Sequence, residues 1–114
     1  MGLLNIFASK EIDEFAKSLA ESVAKRYPPA LETAQEKKIS VNRVTKILED
    51  TFQKAAEFNS RQKLGVYKKA RLGNTFRWEL KERGYSESFI EMATEGLLVY
   101  VTRKPAADKD AAAK

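Results

Sequence analysis

The chain has 114 residues with 43% hydrophobic and 32% charged residues, the composition of one soluble globular domain with a core of its own. It contains no Cys and no His, which excludes disulfide frameworks, thiol nucleophiles, zinc fingers and every histidine-based acid, base or metal site. Lys and Arg together number 21 against 16 acidic residues, a net charge of +5.

From the N-terminus, Met1–Phe7 is apolar around Asn5, but no basic residue precedes it, so a secretory leader is not supported. Gly2 does not complete a myristoylation motif, because the slot that wants Ser or Thr is Ile6. The densest apolar stretch, Leu97–Val101, is far short of the roughly 18 residues a spanning helix needs. A cytoplasmic protein is the expectation.

The first helix is expected to start at Ser9 as N-cap, with Glu11, Asp13 and Glu14 in its first turn. Ile12, Phe15, Ala16, Leu19, Ala20, Val23 and Tyr27 follow helical spacing, and Lys25, Arg26 and Pro28–Pro29 end it. Its other side (Lys10, Asp13, Lys17, Glu21, Lys25) reads as a solvated face. Pro29 opens a short helix to about Glu36. A long helix follows Ser40, with Ile39 stapled onto Val44 and Val41, Val44, Ile47, Leu48, Phe52 and Ala55 on one stripe, stopped by Gly65. Residues 66–83 are helical, with Gly73 a weak point and Gly84 the C-cap. A last helix starts near Ser86 or Ser88, where Ser88-Phe89-Ile90-Glu91 fits a capping box, and carries Phe89, Ile90, Ala93, Leu97, Tyr100 and Val101. The β-branched run Val99–Thr102 offers a strand as the minority reading. After Pro105 no large apolar side chain remains. Residues 1–104 are therefore expected as one all-α domain, an irregular bundle of four to five helices, and 105–114 as a disordered tail.

Charge is not spread evenly. Residues 61–83 hold Arg61, Lys63, Lys68, Lys69, Arg71, Arg77, Lys81 and Arg83 against Glu79 and Glu82, a net +6, so the rest of the chain carries −1. Clustering of this kind points to an anionic partner, nucleic acid first; the alternative is an ordinary solvated face. If 66–83 is one helix, Leu72, Phe76 and Leu80 lie within about 40° of one line. Tyr67, Arg71, Asn74, Trp78 and Lys81 fall opposite, and Tyr85 continues their line. Rings beside cations can stack on bases while the cations meet phosphates. They can also anchor a protein partner, through Tyr67, Trp78 and Tyr85. Trp78 buried between two neighbouring helices is the purely structural alternative.

Residues 30–48 resemble a repressor-style helix-turn-helix. Ile39-Ser40-Val41-Asn42-Arg43-Val44-Thr45-Lys46-Ile47-Leu48 looks like its turn and second helix, and Ala34 sits where the first helix needs a small residue. The resemblance implies that Val41, Asn42, Arg43 and Lys46 face a DNA major groove. Lys38 stands where the turn usually has Gly.

Catalysis finds little to work with. The acids Glu11, Asp13 and Glu14, and Glu49 and Asp50, read as helix-surface groups, and Glu91 with Glu95 is a weak cation site without His. No phosphate loop, dinucleotide fingerprint or nucleophile elbow occurs, and no cofactor or metal is expected. The expected function is a small non-enzymatic binding module contacting DNA or RNA through Arg61, Lys63, Tyr67, Lys68, Lys69, Arg71, Arg77, Trp78 and Lys81. A helical protein-interaction domain is the alternative. Attachment to an anionic membrane through Leu3, Leu4, Ile6 and Phe7 plus the basic helix is a third reading.

Overall fold

A computed structural model describes the backbone of residues 2–33 and 41–113, and the side chains of residues 9–32 and 41–102. It consists of α1 (Gly2–Arg26), α2 (Pro29–Thr33), α3 (Val41–Gln62), α4 (Val66–Arg83) and α5 (Glu87–Ala113), with no strand among the described residues. The all-α expectation holds, and the Val99–Thr102 run lies inside α5.

α1 packs on α3 and α4, and α5 packs on α3 and α4, so the four long helices close a ring. Leu19 and Val23 of α1, Ile47 of α3, Leu72, Phe76 and Leu80 of α4, and Leu97 and Val101 of α5 fill its centre, fully buried. Each comes from the stripe that helical spacing picks out. Phe15 and Phe58 close the α1–α3 seam with rings stacked 4.0 Å apart. Val41 departs from its expected stripe and is 79% exposed, because it opens α3 beyond the reach of a facing helix.

Two glycines set how closely helices approach. A Cβ on Gly96 would stand 2.5 Å from ring atoms of Phe52, and one on Gly73 would stand 2.8 Å from the Leu98 side chain. Gly73 is thus buried at the α4–α5 crossing and α4 runs through it unbroken, where a weak point was expected.

Helix ends account for the other departures. α1 already runs from Gly2, so Ser9 is inside it and not its cap; no Pro interrupts residues 2–26. α3 ends at Gln62, not Gly65. Lys63 takes the left-handed conformation (φ 54°) and its N–H bonds the Asn59 carbonyl at 2.6 Å, while Leu64 turns into the core. Gly65 instead precedes α4 in extended geometry.

α4 closes as expected. Gly84 is left-handed (φ 102°), its N–H bonds Lys81 O at 3.0 Å and the Tyr85 N–H bonds Leu80 O at 3.3 Å, a complete Schellman turn. α5 is capped by Ser86, the earlier of its two expected starts. Ser86 Oγ accepts the Phe89 N–H at 3.2 Å. The carboxylate of a capping box comes from another helix: Glu32 of α2 accepts the Ser86 N–H at 2.9 Å and the Ser86 hydroxyl. The expected Ser88–Glu91 box is not formed, because Ser86 already satisfies the free amide.

The backbone of α5 passes Pro105, where the sequence reading ends the domain. Ala-rich sequence favours helix, and side chains from 103 on lie outside the described residues. Pro105 has no N–H, so the Val101 carbonyl lacks its usual donor four residues on. The buried Asn59 supplies it: Nδ2 donates to Val101 O at 3.0 Å, and Oδ1 accepts the Leu64 N–H at 3.1 Å. One amide therefore serves both the end of α3 and the proline step of α5.

Candidate functional site

α4 presents two faces. Leu72, Phe76 and Leu80 are wholly buried, while Tyr67 is 66% and Trp78 56% exposed. Trp78 is a surface residue, so the reading that places it between two core helices is set aside. Tyr85, expected to continue the ring line, is buried: it lies past the Schellman turn, stacks on Phe89 with centroids 4.7 Å apart and donates its hydroxyl to the Tyr27 carbonyl at 2.5 Å. Burial pushes its phenol up to about 12. It is not available as an anchor.

The cations of the basic segment sort into two groups. Arg71 is taken. Its Nε and Nη2 donate to the two Asp13 oxygens at 3.0 and 2.8 Å, and its Nη1 donates to the Tyr67 hydroxyl at 3.3 Å. Thr75 Oγ1 adds a third bond to Asp13 at 3.0 Å. The Arg71 hydrogen bonds hold the Asp13 carboxyl below its usual range. This network ties α4 to α1, and Asp13 is a link between helices where a solvated face was expected. Arg83 pairs with Glu79 at 2.5 Å within α4, and Arg77 pairs with Glu91 of α5 at 3.4 Å on an exposed rim.

Arg61, Lys63, Lys68, Lys69 and Lys81 form no ion pair among the described residues. Arg61 and Lys63 lie exposed at the α3–α4 corner, and Lys68 and Lys69 are half-buried in the first turn of α4. Gly65 offers no side-chain cap there and no acid occupies the turn, so the positive end of the helix dipole is reinforced. Residues 58–78 contain no Asp or Glu at all.

Trp78 divides two shallow notches. One, of about 380 Å³, lies towards α1 and is lined by Asp13, Glu14, Lys17, Asn74, Thr75 and Glu79. The other, of about 230 Å³, is lined by Asn74, Arg77 and Lys81. The α1 side of the indole thus carries acids with Lys17 among them, Asp13 and Glu79 being already paired, and the other side carries two cations. A larger apolar recess of about 440 Å³ lies among Leu31, Val41, Val44, Leu48, Phe89 and Met92. Its one carboxylate, Glu32, is committed to Ser86.

Of the helix-turn-helix residues, Ala34, Ile39 and Ser40 lie outside the described residues. Val41, Asn42, Arg43 and Lys46 are exposed, and Lys46 sits 3.5 Å from Asp50, which also takes Arg26 at 2.9 Å. No cluster of three or more metal-binding side chains occurs among the described residues. No helix among them is long and apolar enough to cross a membrane.

Asp13, Asn59 and Glu32 are the polar residues the sequence reading passed over. Asn59 had a local signal, since it falls on the apolar stripe of Phe52 and Ala55. Asp13 and Glu32 had none, because their partners stand 58 and 54 residues away. The chain matches no protein-family model, no curated protein and no solved structure.

Proposed function

We propose that the chain is a non-enzymatic, cytoplasmic helical module that binds nucleic acid along the outer face of α4 and the α3–α4 corner. The observation that carries this is Trp78, exposed beside Arg77 and Lys81 on the helix whose first turn bears Lys68 and Lys69. Cations without acidic partners attract a polyanion, and exposed rings among them add contact that charge alone does not supply. Arg71 drops out of the contact set, because releasing it from Asp13 would dismantle the α1–α4 link.

Anisotropy of labelled oligonucleotides at low salt tests this. With Lys68, Lys69, Arg77 and Lys81 engaged, log affinity falls with log salt at a slope of about −3 to −4. Replacing Lys68 and Lys69 with Ala lowers both affinity and slope while the helical spectrum is kept. Absence of binding to single-stranded and duplex oligonucleotides at low salt rejects the reading. If binding persists in that variant and is lost in Arg43→Ala, the start of α3 is the contact surface instead.

A second reading, a protein-interaction surface anchored on Trp78 and Tyr67, is favoured by the exposure of both rings on one helix face. It predicts binding that survives salt.

A further inference from the structure

We infer that the bound strand is single, and that one of its bases stacks on Trp78. This rests on the nucleic-acid reading above and narrows it.

An exposed indole restricts which strand it can meet. In a duplex every base face is covered by its neighbours in the stack, so a half-exposed ring on a protein surface finds no free partner there. A single strand offers unstacked bases, whose π-faces lie on aromatic side chains whatever the sequence. Duplex readers depend on forked donors aimed at base edges, above all Arg on guanine. Arg71, in the middle of the outer line of α4, is the residue placed for that, and its fork is already committed to Asp13, with a further N–H on Tyr67. What remains along the line is Tyr67, Asn74, Trp78 and Lys81: two rings, an amide and one ammonium.

The two sides of the ring differ in polarity. A nucleotide has a hydrogen-bonding base edge at one end and a phosphate at the other. The notch on the α1 side of Trp78 offers the Asn74 amide and the Glu14 carboxylate, which accept from exocyclic amino groups, with Lys17 beside them and with Asp13 and Glu79 already paired to Arg71 and Arg83. The opposite notch offers Arg77 and Lys81, which attract phosphate. A base lying on the indole with its edge towards α1 sets its phosphate towards these two cations. Arg77 reaches it by leaving Glu91, an exposed pair at 3.4 Å and so a weak competitor. Tyr67 stands eleven residues earlier on the same line, about 16 Å along the helix, with Lys68 and Lys69 beside it. The strand therefore runs along α4 between two ring-and-cation stations.

Trp78 is the only Trp in the chain, so its emission reports this site alone. Titration at low salt with a short single-stranded oligonucleotide, and with the same sequence as a duplex, gives two curves. The expected result is quenching by the single strand, with duplex binding at least about tenfold weaker and leaving the emission unchanged. Trp78→Ala, a surface change whose fold is checked by circular dichroism, lowers single-strand affinity about 5- to 150-fold, the range for one base on one ring. Trp78→Phe retains most of it.

Equal affinity for duplex, or single-strand binding that leaves Trp78 unquenched, overturns the stacking inference and leaves the phosphate-binding reading standing. Polyglutamate binding as tightly as the oligonucleotide overturns it in favour of an acidic protein partner. No oligonucleotide binding at low salt overturns both.

Discussion

Arg71 carries the same formal charge as Lys68 and Lys69, yet its surroundings give it a different role. A planar fork facing a carboxylate makes two parallel bonds, which an ammonium cannot do. Asp13→Asn removes the charge from that pair and is expected to lower stability at neutral pH. The pH dependence has a definite sign. The Asp13 carboxyl is held below its ordinary value of 3.8, so its contribution is complete above that pH and is lost as the solution is acidified through the lower folded-state value. Urea midpoints measured from pH 5 to pH 2 check this, with a shallower acid loss in Asp13→Asn. Tyr85 acts at the other end of the scale. Burial raises its phenol to about 12, so the unfolded chain ionises first, and stability falls as pH rises beyond about 10. Tyr85→Phe flattens that alkaline limb. Lys63 holds a left-handed conformation that favours Gly, so Lys63→Gly is expected to raise stability by up to about 1 kcal/mol in a denaturant titration.

Helix interiors were legible in the sequence and helix ends largely were not. Leu72, Phe76 and Leu80 recur at the period of a helix, and all three are buried. Gly84 was legible too, because its Schellman turn is built from adjacent residues. For the α5 cap the sequence offered Ser86 or Ser88 but could not show the carboxylate, which Ser86 borrows from Glu32, 54 residues away. Gly73 was read as a weak point, because its reason lies on the facing helix, as does that of Gly96. The two are expected to differ on substitution. Gly96→Ala drives a methyl into the Phe52 ring, a rigid neighbour, and costs about 1–3 kcal/mol. Gly73→Ala meets the end of the flexible Leu98 side chain, and the gain in helix propensity offsets most of the strain, leaving a change under about 1 kcal/mol. Asn59→Ala strips partners from both the Val101 carbonyl and the Leu64 amide. Each buried group left unpaired costs about 1–3 kcal/mol, so thermal unfolding should place Asn59→Ala among the most damaging single changes in the chain.

At the scale of the molecule, the ring of four long helices decides which residues reach a partner. It turns one side of α4 into the core and leaves the other side outward, between α1 and α5. The +6 of the basic segment was legible from composition, but its division was not. Arg71, Arg77 and Arg83 are paired by acids on three different helices, while Arg61, Lys63, Lys68, Lys69 and Lys81 form no ion pair among the described residues. The exposure of Trp78 was likewise undecided by periodicity, since a second ordered face on a helix suits a buried neighbour as well as a surface. Everything proposed for α4 depends on that exposure. Quenching of the intrinsic fluorescence in the free protein measures it directly, with one Trp to report. The account predicts red-shifted emission, quenched efficiently by acrylamide and by iodide, which Arg77 and Lys81 draw towards the ring. Blue-shifted emission resistant to both quenchers would put Trp78 in the core and contradict the account.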